Sequence, residues 1–217
     1  MLNRILAFFF AATLWSGTAA ASVVFDQPAG LDSHASYISS PRDFFGSPPG
    51  YRAADNFNLA GGATITDVHW WGMWIFSNVL FNPSFTFTFY SDNNGSPGAA
   101  ILSTTGTLTI TTVSVPSSGG LDTLLLFYSS DLDSPFAASA GSTYWLSIFD
   151  NSFKGWLWAS AASSGDGGFQ QANGSTSWDF STRDLAFQLT SSVPEPGTLA
   201  LLGFGLAGLA ASRRRKQ

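Results

Sequence analysis

SFTFTFY, Ser84 to Tyr90, decides how the rest of the chain is read. Phe85, Phe87 and Phe89 lie two apart, so an extended backbone puts them on one face and Thr86, Thr88 and Tyr90 on the other. Strict period two in aromatic and β-branched residues is the mark of a strand. The pattern returns at Asp184–Thr190, where Leu185, Phe187 and Leu189 align. It returns again at Thr143–Phe149, with Tyr144, Leu146 and Ile148 opposite Trp145 and Phe149. Thr64–Phe76 differs: Trp70, Trp74 and Phe76 share one face and Trp71, Met73 and Ile75 the other, so both faces of this strand are expected to be covered.

Further strands are expected at Ser22–Gln27, Ala53–Leu59, Ile101–Val115, Thr123–Tyr128 and Gly155–Ser160. Clusters of Gly, Pro, Asn, Asp and Ser separate them: SPPG (Ser47–Gly50), AGG (Ala60–Gly62), SDNNGSPG (Ser91–Gly98), PSSGG (Pro116–Gly120) and SSGDGG (Ser163–Gly168). Only the two chain ends read as helical. The expectation is an all-β body, a single β-sandwich with a jelly-roll-like layout, spanning 22–192.

The ends read as addresses. Residues 1–21 carry Arg4, an apolar run from Ile5 to Leu14, and Ala19-Ala20-Ala21 before Ser22, the three parts of a secretory signal peptide with its cut after Ala21. Residues 193–217 hold VPEP, an uncharged apolar run from Gly197 to Ala211, and the basic cluster Arg213, Arg214, Arg215, Lys216. That run is about 22 Å long as a helix, short against a hydrocarbon core of about 30 Å, but basic side chains reach outward and bilayers thin. The basic end stays cytoplasmic. The expected topology is therefore body outside, with a single transmembrane helix and its tail inside.

Composition narrows the body's chemistry. Between the two ends stand thirteen Asp, no Glu, and only Arg42, Arg52, Lys154 and Arg183, a formal net charge of −9. Such a body repels phosphate backbones, so nucleic acid is not an expected partner. The chain has no cysteine, which removes disulfides and thiolate chemistry, and its 20 Phe, 8 Trp and 5 Tyr must supply the core instead.

VPEP, an apolar helix and RRRK, in that order at the C-terminus, resemble the PEP-CTERM sorting signal of Gram-negative bacteria. The resemblance implies that Pro194, Glu195 and Pro196 are the motif read by exosortase, an integral-membrane cysteine protease. It also implies transient inner-membrane anchoring, then release to the cell surface or matrix, in bacteria that often make exopolysaccharide. The body stretches AADNFNLAGGATITDVHWWG (Ala53–Gly72), FTFYSDNNGSPG (Phe87–Gly98), YWLSI (Tyr144–Ile148) and DLAFQL (Asp184–Leu189) resemble an extracellular β-sandwich recurrent in such proteins, which implies no catalytic activity.

No catalytic motif emerges from the residues. There are two histidines, His34 and His69, and no G-x-S-x-G turn. His69, beside Trp70, reads as a packed or partly exposed residue rather than a catalytic one, and Asp131 and Asp133, beside SPF, as a solvated turn. Turn carboxylates at Asp92, Asp131/Asp133, Asp150 and Asp166 suit a structural calcium ion, although none has the spacing of an EF-hand. No other metal or cofactor is expected. The tryptophans read chiefly as core; Trp71, Trp156 and Trp158 are the candidates for stacking on sugars. The resulting expectation is a non-enzymatic exported surface or matrix protein, associated with exopolysaccharide or biofilm. A carbohydrate-binding module or, less favoured, an extracellular hydrolase are the alternatives.

Overall fold

The computed structural model describes residues 21–30, 36–41, 48–74, 83–113, 125–152, 155–162 and 165–192, all within the unit Ala21–Ser192. Their strands are β1 (Ala21–Gln27), β2 (Ser36–Ile38), β3 (Tyr51–Asn58), β4 (Ala63–Trp74), β5 (Phe85–Asp92), β6 (Pro97–Thr104), β7 (Gly106–Val113), β8 (Leu125–Ala138), β9 (Thr143–Asp150), β10 (Trp156–Ala159), β11 (Phe169–Ala172), β12 (Asp179–Phe180) and β13 (Phe187–Ser192). Among the described residues no helix is long and apolar enough to cross a membrane. The expected signal peptide up to Ala20, the sorting motif Pro194–Glu195–Pro196, the apolar run and the basic residues Arg213 to Lys216 lie outside the described residues, as do His34, Ile75 and Phe76.

Two antiparallel sheets face each other. Sheet one is organised by β4, whose apolar residues on both faces make it a central strand. One edge of β4 pairs with β8, which in turn pairs with β7. Its other edge is shared, β13 taking Ile65 to Trp70 and β10 taking Gly72 to Trp74. β1 then adds to β13, and β2 to β10. Sheet two runs β12-β11-β3-β9-β5-β6.

Period two set the inward faces as expected. Phe85, Phe87 and Phe89 enter the layer between the sheets with Val68, Trp70 and Trp74 of β4, Tyr128 of β8, Leu146 and Ile148 of β9, and Phe187 and Leu189 of β13. Trp70 stacks on Tyr128 at 5.2 Å and meets the Phe85 and Phe87 rings edge-on, while Phe89 stacks on Phe136 at 4.3 Å. Ring pairs of this kind add roughly 0.5–1.5 kcal/mol each beyond the area they bury. The opposite face of β4 is covered too: Met73, Leu125, Ala159 and Ala186 form a second buried cluster with Trp71 packed against it.

Two expectations needed correction. Ile101–Val115 is not one strand. It breaks at Thr105, where the chain leaves sheet two as β6 and enters sheet one as β7. Gly106 permits the crossing, because a Cβ there would lie 2.1 Å from the Asp131 carbonyl oxygen. Asp131 and Asp133 are not in a free turn. They lie within β8, which continues to Ala138. The register nonetheless jumps between Phe136↔Ile65 and Asp131↔Asp67, so the stretch bearing Asp133 and Pro135 bulges. That bulge is tied to the crossing by Asp133 N–H to the Thr105 carbonyl, 2.9 Å, and Ser134 N–H to Thr104 Oγ1, 3.1 Å.

Candidate functional site

The outer face of sheet two carries a polar groove. β3 alternates around Phe57, so Asn56 and Asn58 point outward, and they lie in register with Trp145 and Thr143 of β9. β5 ends beside them in Asp92. Asp166 joins from the Gly-rich loop between β10 and β11. Asn56, Phe57, Asn58, Asp92, Gly95, Thr143, Trp145 and Asp166 line a cavity of about 240 Å³.

Local sequence chemistry fixes both carboxylates. Asn94 and Gly95 hold positive φ, 53° and 80°, in the turn joining β5 to β6, the Asn-Gly arrangement that a tight hairpin favours. This turn aims the Gly95 N–H at both Asp92 oxygens, 3.2 Å away. The Trp145 indole N–H donates to Asp92 Oδ1 at 2.9 Å. Trp145 faces away from the core yet is only 1% exposed, because the Phe169 ring closes on it edge-on at 5.2 Å. Asp166 accepts from the Asn56 amide at 2.5 Å. Among the described residues neither carboxylate has a cationic partner, and the Asn58 amide and Thr143 hydroxyl have no partner either.

A buried pair of carboxylates supports this groove from behind. Asp184 accepts the N–H groups of Gly165 and Gly167, which shapes the loop around Asp166. Asp55, fully enclosed, accepts from Gln27 Nε2 at 2.8 Å, from Leu185 N at 2.5 Å and from Asn56 N at 2.8 Å. It thereby clasps β1 and the approach to β13 in sheet one to β3 in sheet two. Burial pushes its carboxyl up to about 8, with Asp184 adding to the rise against the three N–H donors. Asp150, buried with Ser152 N–H and Oγ–H on its oxygens, is pushed by burial up to about 6.

The outer face of sheet one holds a second cluster. Asp67 of β4 and Asp131 of β8 are register partners and share a hydrogen bond. That bond, with burial and the neighbouring charge, pushes Asp131 up. Burial works against the charge on Asp67, but hydrogen bonds led by the Thr66 hydroxyl hold it down. His69 lies next along β4, its ring stacked on Phe127 at 5.8 Å and held below its ordinary range by burial, which outweighs Asp67 and Asp131. The reading of His69 as a packed or partly exposed residue fits this position.

The tryptophan candidates separate. Trp71 is half-buried on the outer face of sheet one, 5.0 Å from the Phe127 ring. Trp156 and Trp158 are 0% exposed and belong to the inter-sheet core, which corrects their assignment as sugar platforms. Both indole N–H groups are spent inside, on Tyr128 Oη at 3.3 Å and the Ala186 carbonyl at 2.9 Å. The turn carboxylates are likewise dispersed: Asp92 and Asp166 line one groove, Asp150 is sealed and Asp131 pairs with Asp67. Among the described residues no group of three acidic or histidine side chains is placed to hold a metal ion. Asn56, Asn58, Thr143 and the Asp55–Asp184 support were not singled out by sequence; the outward amides at period two in ADNFN (Ala54–Asn58) were the available signal.

Two comparisons with known families cover this architecture. The family described as Domain of unknown function (DUF7901) matches residues 25–190, most of the chain and nearly all of the sandwich. The chain belongs to the DUF7901 family. The PEP-CTERM protein-sorting motif matches residues 192–216, directly after the DUF7901 region. It marks an exported protein that is held transiently at the membrane and sorted by exosortase. A search of curated proteins finds no match. In the DUF7901 body of this chain the two ends meet: Ala21, the first residue of β1, pairs with Ser192, the last of β13, and Ser22 Oγ lies 3.4 Å from Ser191 Oγ. The expected signal-cleavage point and the start of the sorting motif therefore lie at one corner of sheet one.

Proposed function

We propose that this chain is a non-enzymatic surface or extracellular-matrix protein whose sandwich is the delivered cargo. The signal peptide is removed after Ala21, and exosortase reads Pro194, Glu195 and Pro196 and releases the body from its membrane helix, with Arg213 to Lys216 left inside. The body then acts at the cell surface or in the matrix, associated with exopolysaccharide or biofilm. The sorting motif at 192–216 is the observation that carries this reading. The corner shared by Ala21 and Ser192 supports it, since the two cuts would take only Ala21 from the strands and leave the pairing from Ser22 and Ser191 onward.

Replacing Pro194, Glu195 and Pro196 together by Ala tests it. The variant body should stay in the inner-membrane fraction while the wild type is released; equal release of both would refute sorting through the motif. A hydrolase reading has the Asp67–Asp131 pair as its nearest support, but Asp131 is exposed rather than enclosed with a substrate. Sugar recognition is the stronger second reading, favoured by the groove on sheet two.

A further inference from the structure

We infer that the groove of sheet two binds one ring of an amino sugar: a polyol unit carrying a free, cationic amine. The inference rests on the sugar-recognition reading and moves it from the tryptophans to Asp92, Asp166, Asn56, Asn58 and Thr143.

Size comes first. About 240 Å³ is the room of roughly eight liquid waters at about 30 Å³ each. That fits a single six-membered ring and is below the range of drug-sized pockets, about 300–1,000 Å³. Lining chemistry comes second. Amide and hydroxyl groups of Asn58 and Thr143 face the groove without partners, and carboxylate oxygens accept paired hydroxyls. Specific recognition of a polyol needs convergent donors and acceptors of this kind.

Charge selects among sugars. Asp92 and Asp166 stand in the groove with no cation among the described residues, in a body that is acidic overall. A uronic acid would meet repulsion there, whereas an ammonium group would supply the missing charge. A bare calcium ion fits less well. It needs six to eight oxygens converging at about 2.3–2.6 Å. Here N–H groups of Trp145, Gly95 and Asn56 already point at the two carboxylates. The same N–H groups hold those carboxylates in place, so the groove is formed before a ligand arrives.

The test is a titration of the body 22–192 within the secreted protein, followed by NMR shifts of the Trp145 indole and the Asn56 and Asn58 amides. The probes are a glucosamine tetramer, an N-acetylglucosamine tetramer, glucuronic acid, methylammonium and calcium chloride. The glucosamine tetramer should shift these signals saturably, at least tenfold more tightly than its acetylated counterpart. Asp166→Asn and Asn58→Ala should each weaken it about tenfold or more without altering the remaining spectrum, and glucuronic acid should leave the signals still.

No saturable shift with the glucosamine tetramer would overturn the inference. So would equal affinity for methylammonium, or tighter binding of calcium that depends on Asp166. None of these outcomes bears on delivery, because release from the membrane is read separately with the sorting-motif variant.

Discussion

Trp156 and Trp145 are equally hidden from water, 0% and 1% exposed, and yet they belong to different parts of the molecule. Trp156 lies between the sheets, over Gly72, where an added Cβ would come within 2.3 Å of its ring. Two whole sheets seal it. Trp145 lies on the outside of sheet two and is sealed only locally, by Phe169 and by its bond to Asp92. Phe169 in turn meets Phe180, which is 60% exposed. The inter-sheet ring is there for the fold. The outer ring is covered because short strands and turns have been built over that face, and the same additions raise the walls of a groove.

The largest effect is expected between the sheets. Trp156→Ala should cost roughly 3–5 kcal/mol of unfolding free energy, seen as a large fall in the urea midpoint. A loss below about 1 kcal/mol would mean that Trp156 is not a core residue. Gly72→Ala should follow, at about 1–3 kcal/mol, because the Trp156 ring and the Leu157 carbonyl leave no room for a methyl group.

Asp55 makes the stability of the body depend on pH. Its carboxyl is raised from 3.8 to about 8 in the folded body, so the folded state holds that proton where the unfolded state has lost it. Stability should therefore fall as pH rises from about 4 to 8. Asp150, raised to about 6, contributes in the same direction over the lower half of that range. The melting temperature should decline across this window, and Asp55→Asn should flatten the decline between about pH 6 and 8. A profile for the variant parallel to wild type would remove Asp55 as its cause.

The smallest effect on stability should come from the groove. Asn58→Ala and Asp166→Asn should shift unfolding by no more than about 0.5 kcal/mol, as surface substitutions do, while removing ligand recognition. Destabilisation as large as that of Trp156→Ala would make the groove part of the scaffold.

The long alternating runs were legible because burial on one face demands period two. β5, β9, β13 and the two-faced β4 all follow from that rule, and the turn carrying Asn94 and Gly95 was legible from its Asn-Gly pair. β2, β11 and β12 were not legible. They have at most four residues and lie outside or at the margin of the patterned runs; β2 and β11 are held by partners far away in sequence, and β12 by only two residue pairs to β11. The crossing at Thr105–Gly106 was hidden for a related reason: Gly106 is the one break in the β-forming stretch STTGTLTITT, and only contact with Asp131 shows that the chain changes sheets there rather than continuing.

Of the groove, Asp92 and Asp166 were visible as turn carboxylates, but their placement in one groove was not, since they lie 74 positions apart in the chain. Trp156 and Trp158 misled because alternation reports that two rings share a face without reporting which side of the sheet that face is on. Asp55 and Asp184 were invisible in their role because a buried carboxylate is recognised only by the N–H groups that converge on it.

The most direct test of the account as a whole is the intact mass of the protein recovered outside the cell. The expected product is a chain that begins at Ser22 and ends within the sorting motif, so that β1 loses only Ala21, β13 is complete, and Ser22 stays paired with Ser191 at that corner. A recovered chain that still carries residues 197–217 would contradict it, and would make the sandwich a permanently tethered domain rather than a delivered one.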